Sequence, residues 1–332
     1  MKAMVLAAGF GTRLKPLTQV LPKPMFPILG KPVLEHTLAH LARFGIRDIT
    51  VNLHHLPAAV QGYFGNGETL GIELHYSYEQ EILGTAGGIL KARKYLDGGP
   101  FIVMNSDIIT DIDLEKVMAF HQARGSALTM VLTDGEVTGI HDPIELDEND
   151  RVVHMPGASS KNMPDTTRPV TFTGVQIIEP EIFDRIPVNQ FCGTTKEIYP
   201  EMIEDGRRVY GYLHKGYWQD MGTREQYLQV HKEILDGKTT LPASSSTALP
   251  EGANIVAPVW IGKDCKISNA ATIGPYAVLG KGCVVENGAE IKNTVCWERV
   301  RTGENARIES SVLATGVVVL ADAEISKESI IP

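Results

Sequence analysis

Residues 6–18 read LAAGFGTRLKPLT. They continue an apolar run from Ala3 that reads as a buried strand over 2–7. The stretch then loses side-chain bulk and gains donors: Gly9, Gly11, Thr12, Arg13 and Lys15. A glycine turn after a first strand leaves backbone N–H groups open to an anion, and an arginine beside it can clamp a phosphate through two N–H groups. Leu14 stands where G-x-G-x-x-G needs its third glycine, and G-x-x-x-x-G-K-[ST] occurs nowhere. Neither a dinucleotide fingerprint nor a Walker loop is therefore present.

Charge points the same way. The net charge of −9 argues against general nucleic-acid binding. Yet the first 34 residues hold no Asp or Glu and carry Lys2, Arg13, Lys15, Lys23 and Lys31, a local +5 that leaves −14 for the remainder. Within LPKPMFPILGKP (21–32), Pro22 and Pro24 flank Lys23 and hold the chain extended, presenting the lysine as a point charge.

Outward from the opening strand, elements alternate. The patterns predict helix over 32–45, strands over 48–53 and 72–79, and helix over 85–96. Strand over 100–107, helix over 113–125 and strand over 127–133 follow. This alternation predicts a parallel, three-layer α/β sheet. Ligands of such sheets sit beyond the carboxyl ends of the strands, where the 8–15 loop and Asp107 both fall. Asp111 and Asp113 read as the entry and cap of the next helix. His36 and His40 are four apart with Thr37 between them, and read as core or helix-surface histidines rather than zinc ligands. No segment is apolar enough to span a membrane. The N-terminus reads as a strand rather than a leader. Cys192, Cys265, Cys283 and Cys296 show no CxxC spacing, so a reduced, cytoplasmic protein is expected.

A second pattern begins near residue 255. Residues 236–254, DGKTTLPASSSTALPEGAN, read as a linker. Then Ile255, Ile261, Ile267, Ile273, Leu279, Val285, Ile291 and Trp297 recur every six residues, with small or β-branched residues four places after each of the first seven. Six-residue repeats predict a parallel β-helix with eighteen residues per turn and roughly four coils. Past Trp297 the phase shifts by three, to Val300, Ala306, Val312 and Val318, which predicts a kink or insertion there. Cys265 and Cys283 should stack on one wall of adjacent coils as small core residues. All ten histidines lie at or before His231, so these coils lack the histidine base of a β-helix acyltransferase.

LAAGFGTRLKPLT followed by PKPM resembles the signature of the sugar-1-phosphate nucleotidyltransferases. The resemblance continues through YEQEILGTAGGI (78–89), VMNSDIITDID (103–113), FTGVQII (172–178), KEIYPEMIEDGRRVYGY (196–212) and GYWQDMGTREQYL (216–228). It implies a Rossmann-like three-layer domain over 1–235, the linker 236–254 and a left-handed β-helix over 255–332. It also implies attack of a sugar 1-phosphate on the α-phosphorus of an NTP, with Mg²⁺ as cofactor.

By the same resemblance Leu6, Ala7, Ala8, Gly9, Gly11 and Thr12 hold the nucleotide. Arg13 grips the leaving pyrophosphate and Lys23 contacts the phosphates where the new bond forms. Asp107 and Asp220 hold the metal. Gly84 and Thr85 lie over the base or ribose, while Gly174, Lys196 and Glu197 serve the sugar phosphate. Glu79 can accept from N1–H and the 2-amino group of guanine, which favours GTP. LGTAGG and KEIYP look most like the mannose-1-phosphate guanylyltransferase branch. A thymidylyl- or uridylyltransferase and a non-catalytic regulatory relative are the alternatives. Homo-oligomerisation through the β-helix is expected, with neither nucleic acid nor membrane as partner.

The sugar pocket departs from the family pattern. IHDP stands where a Tyr-Gly pair is expected, and HMPGASSKN replaces a Glu-Lys-Pro motif, leaving Lys161 as the substitute lysine.

Overall fold

The computed structural model describes residues 1–134, 143–161, 163–242 and 252–332. The chain forms two compact units. The first comprises residues 1–9, 37–108 and 112–218; the second comprises 10–36, 109–111 and 219–332.

The first unit is built on β1 (Lys2–Leu6), β2 (Asp48–Leu53), β3 (Glu73–Tyr78) and β4 (Phe101–Asn105), all parallel in the order β3-β2-β1-β4. Each strand except β3 is almost fully buried, as expected of a sheet covered on both faces. In register, Leu6 lies opposite both Asn52 and Asn105, so three strands end level. Helices Val33–Arg43 and Leu114–Arg124 fall where the periodicity put them. The second is capped by Asp113, whose carboxylate accepts from the Lys116 N–H at 3.1 Å, and it ends at left-handed Gly125.

Three readings of this unit need correction. The sheet is mixed: the long strand β6 (Arg168–Ile178) runs antiparallel to β4 and to β5 (Leu128–Thr133), and β5 pairs parallel with β7 (Val209–His214). The helix expected over 85–96 is broken at Ala92 into Gly84–Lys91 and Arg93–Leu96. The strand expected over 100–107 ends at Asn105, leaving Asp107 in the loop beyond it. The core of the unit joins Met4, Ile89, Phe101, Val103, Met130 and Tyr199, all buried.

The second unit contains the β-helix. Three parallel sheets of five, five and four short strands stack coil on coil, the arrangement of a left-handed β-helix. The first steps are eighteen residues, as in Ile255↔Ile273 and Ile273↔Ile291. Later steps are seventeen, as in Ile291↔Ile308 and Ile308↔Ile325. One residue is lost at the corner after Ile291, where five positions reach Cys296 instead of the six from Ile273 to Leu279. Neither a kink nor an insertion is needed: a steady seventeen-residue coil explains the changed phase. Val318 is consequently 64% exposed while Val317 and Val319 point inward. Cys283 lies one coil above Cys265, and all four cysteines are free thiols.

Trp297, the eighth residue of the six-residue series, packs outward from the coil. Its ring lies 4.9 Å from Phe26, which also meets Tyr227 edge-on at 5.7 Å. Trp297 Nε1 donates to Tyr227 Oη at 3.1 Å, and Tyr227 Oη donates to the Pro27 carbonyl at 2.5 Å. Gly30, at φ 81°, lies against the Trp260 ring, which a Cβ there would meet at 2.8 Å. These contacts tie the coils to residues 10–36 and to helix Arg224–Leu235, all within this unit.

Candidate active site

In the first unit the signature strand ends at Leu6, and Ala7 and Ala8 are buried at its tip. Gly9 is exposed, and a Cβ placed on it would meet nothing within 4 Å. The chain thus turns with bare backbone facing open space, the surface a phosphate or nucleoside can approach closely.

Behind the turn stands a buried polar chain. Asn52 Oδ1 accepts from the Ala7 N–H at 2.8 Å, and Asn52 Nδ2 donates to Glu79 Oε1 at 2.7 Å. Glu79 Oε2 accepts from the Leu83 N–H at 2.9 Å. Glu79 is only 5% exposed. Both carboxylate oxygens therefore already accept bonds that hold the turn and the start of helix Gly84–Lys91. Gly88 makes this possible, since a Cβ there would meet Glu79 Oε1 at 2.8 Å and Asn52 Nδ2 at 2.9 Å.

Gly84 has φ 75°, and its Cβ position is filled by the Cys192 carbonyl, which accepts from Ala86 and Gly87. Thr85 Oγ1 accepts from the Thr194 N–H at 2.7 Å. Glu197 Oε2 accepts from the Gly193 N–H at 2.7 Å, closing the start of the π-helical turn Thr194–Ile198, while Lys196 is exposed. Gly174, at φ 79°, sits at the register shift of β6 and leaves room that the Asn105 side chain fills. Asp107 is half-buried two residues past β4. Lys161 is exposed. Asp142, the departure from the Tyr-Gly pair, lies outside the described residues.

In the second unit Gly11 adopts φ 60°, and a Cβ there would meet Thr18 Cγ2 at 2.9 Å and Lys23 Cβ at 3.3 Å. Thr18 Oγ1 donates to the Gly11 carbonyl at 3.3 Å, which fixes the turn before the single helical turn Thr12–Leu14. The Arg13 guanidinium lies over Gly222, where a Cβ would meet Nη2 at 2.8 Å. The same glycine faces Gln226, whose Nε2 donates to Asp220 Oδ1 at 2.6 Å. Arg13 and Gln226 thus meet at one glycine, and Gln226 aims the Asp220 carboxylate.

Asn52 and Gln226 escaped the sequence reading. Asn52 left a signal, an amide between Val51 and Leu53 in the strand DITVNL; Gln226 left none.

Residues 2–237 match the Nucleotidyl transferase family, and residues 255–332 match the GMPPB C-terminal domain. The chain belongs to the nucleotidyl transferase family. This nucleotidyltransferase is 31% identical to the mannose-1-phosphate guanylyltransferase of Mycobacterium tuberculosis, over 98% of its length and 83% of the relative's. It is 33% identical to probable mannose-1-phosphate guanylyltransferase 2 of Arabidopsis thaliana, over 100% and 91%. It is also 30% identical to a UTP–glucose-1-phosphate uridylyltransferase of Synechocystis, over 93% and 86%. The crystal structure of HddC from Yersinia pseudotuberculosis superposes with a TM-score of 0.59 and 24% identity, covering 70% of this chain and 99% of that one, which shows the shared fold.

Proposed function

We propose that this nucleotidyltransferase forms GDP-mannose from GTP and mannose 1-phosphate. The observation that carries the reading is the near-full-length similarity to guanylyltransferases, β-helix included. A phosphate oxygen of the sugar 1-phosphate attacks the α-phosphorus, the α–β phosphoanhydride bond breaks, and pyrophosphate leaves. The nucleophile is already anionic, so the site needs cations and positioning rather than a base. The bare turn at Ala8–Gly9 receives the nucleotide, Arg13 takes the departing pyrophosphate and Lys23 the phosphates at the forming bond. Gly174, Lys196 and Glu197 are assigned to the sugar phosphate side, and Gly84 and Thr85 to the nucleoside. Glu79 enters as a positioning group, its buried carboxylate accepting from Asn52 Nδ2 and the Leu83 N–H; we assign base choice to neighbouring backbone groups.

Among the described residues no three His, Cys, Asp or Glu side chains converge on a cation. Two hard carboxylates suit Mg²⁺, which keeps water and takes substrate phosphate oxygens as further ligands. We assign Asp107 and Asp220 to that ion, whose chemistry would be neutralisation of phosphate charge.

A uridylyltransferase is the second reading, favoured by the Synechocystis relative. Pyrophosphate release from each NTP with a panel of sugar 1-phosphates decides. GTP with mannose 1-phosphate should be best; a higher kcat/KM for UTP with glucose 1-phosphate would replace the proposal, and no release from any pair would favour a non-catalytic relative.

We also infer assembly of copies through the β-helix. The coils expose Val318 (64%) and Leu320 (74%), apolar side chains that a second copy would cover. A monomer in light scattering would refute it. Among the described residues no helix is long and apolar enough to cross a membrane, and the free thiols support a reducing compartment such as the cytoplasm.

A further inference from the structure

The repeat that builds the coils also builds a groove. Tyr276, Asn293, Ser310 and Lys327 stand seventeen residues apart, and all have left-handed φ, at 59°, 45°, 52° and 56°. They occupy the same corner of four successive coils. Backbone bonds ladder them: Asn293 N–H to the Pro275 carbonyl at 2.8 Å, Ser310 N–H to Lys292 at 3.2 Å, and Lys327 N–H to Glu309 at 3.0 Å. Opposite this ladder runs helix Arg224–Leu235. Arg224, Leu228 and Lys232 recur every four residues and so form one stripe. The stripe and the ladder enclose a groove of about 570 Å³, wholly within the second unit.

The chemistry of its walls is one-sided. Arg224, Lys232, Lys292 and Lys327 face it against Glu225 and Glu309, four cations to two carboxylates, a local +2 in a chain of −9. Arg224 is held in place by bonds to the Lys327 carbonyl and the Glu225 carboxylate. Lys292 pairs with Glu309 at 3.2 Å. Lys232 lies 4.8 Å from the centre of the Tyr276 ring and makes no ion pair among the described residues. Lys327 makes no ion pair among the described residues. Asn293 Nδ2 donates to Ser310 Oγ at 3.0 Å, which leaves the hydroxyl proton to donate onward. Two uncompensated ammoniums, a hydroxyl and an aromatic face in a space of small-ligand size match an organic phosphate: anion on the lysines, carbon skeleton on the ring.

We propose that this groove is a second, non-catalytic binding site for a small phosphate ester, of the size of a hexose phosphate. None of its lining residues belongs to the nucleotidyl-transfer machinery assigned above. It therefore stands whichever sugar and base the enzyme uses.

The test is isothermal titration calorimetry on the full chain, with hexose 6-phosphate and inorganic phosphate as separate probes. Three proteins are compared: the parent, the double variant Lys232→Ala/Lys327→Ala, and the active-site variant Lys23→Ala. The hexose phosphate should bind the parent and Lys23→Ala alike and the double variant at least tenfold more weakly, with inorganic phosphate weaker than the ester throughout. Thermal melting should show the double variant folded, since both lysines are surface groups. Should it melt early, Ser310→Ala replaces it, with the same direction of loss expected. The proposal is overturned if no millimolar probe binds the parent, if the groove variants bind as the parent does, or if Lys23→Ala abolishes binding. Equal affinity for inorganic phosphate and the ester would reduce the site to a general anion patch and overturn the ester assignment.

Discussion

Asn52 Nδ2 donates to Glu79 Oε1 at 2.7 Å, while the other end of the same amide accepts from the Ala7 N–H. One side chain thereby couples the signature turn after β1 to the loop after β3. The pair is buried, so each bond lost leaves a polar atom without water to replace its partner, at a cost of about 1–3 kcal/mol. Glu79→Gln turns one acceptor into a donor that faces either Asn52 Nδ2 or the Leu83 N–H. It should lower the melting temperature and kcat/KM for every NTP by similar factors. If the melting temperature is kept and only GTP use falls, Glu79 reads the base directly.

Gly88→Ala tests the same pair without removing either member. The added Cβ has Glu79 Oε1 and Asn52 Nδ2 within 2.9 Å, so the pair must part. The expected result is a stability loss of about 1–3 kcal/mol by denaturant melting, although alanine ordinarily strengthens a helix. A more stable variant would show that the pair yields freely.

Gln226 should tune the cation through Asp220. Asp220→Ala removes a proposed ligand and should abolish most turnover. Gln226→Leu keeps the carboxylate but frees it, and loss of such a supporting bond typically weakens metal affinity about 10–100-fold. Mg²⁺ titration of Gln226→Leu should shift to higher concentration and recover parental kcat at saturation. An unshifted curve would remove Asp220 from the metal site.

The two units were unequally legible from sequence. Strand and helix positions followed from apolar periodicity, because β1, β2 and β4 are buried on both faces and the helices carry caps such as Asp113. The direction of β6 did not, since an antiparallel strand inside a buried sheet has the same apolar pattern as a parallel one. The coils were legible in kind but not in length, because losing one corner residue after Ile291 shifts the phase without changing any residue type. At the site, residue type pointed to chemistry for Arg13 and Lys23. For Glu79 it left two roles open, since a carboxylate suited to guanine is equally suited to two protein donors.

Lys23 should act mainly as the bond forms. Negative charge concentrates on the phosphates along the reaction path, so a cation there stabilises the transition state more than the bound substrates. Lys23→Ala is expected to lower kcat more than it raises KM for the NTP. A change in KM alone would reduce it to a substrate tether.

His231 makes the second unit acid-sensitive. Burial holds its pKa down to about 4, and its ring donates to the Tyr227 carbonyl at 2.9 Å. Because the folded value lies below the unfolded one near 6.5, the unfolded chain binds the proton first. Stability is therefore complete above about pH 6.5 and falls as pH drops towards 4, by roughly 2 kcal/mol between pH 7 and 5. His36 and His121, also pushed down by burial, add in the same direction. His231→Gln should melt with a smaller drop between pH 7 and 5 than the parent. An identical drop would place the acid sensitivity elsewhere.

Removing the coils should damage the chemistry, although residues 1–235 contain every group assigned to it. From sequence alone, a chain ending near Asp236 is expected to keep its nucleotide site while losing higher oligomers and some thermal stability. The structure argues otherwise through Trp297, Phe26 and Tyr227. Phe26 and Tyr227 are fully buried, and Trp297 packs on the first and donates to the second. Phe26 lies three residues from Lys23, in the 10–36 segment that also carries Arg13. Without the coils both rings face water, at a loss of about 1.5–3 kcal/mol for each, and the segment loses the surface it rests on. The truncated chain should melt well below the parent and release pyrophosphate with lower kcat/KM. Trp297→Ala in the full chain isolates the contact and should cost about 3–5 kcal/mol, with a smaller fall in activity. A truncated chain with parental melting and parental kcat/KM would make the coils a separate appendage.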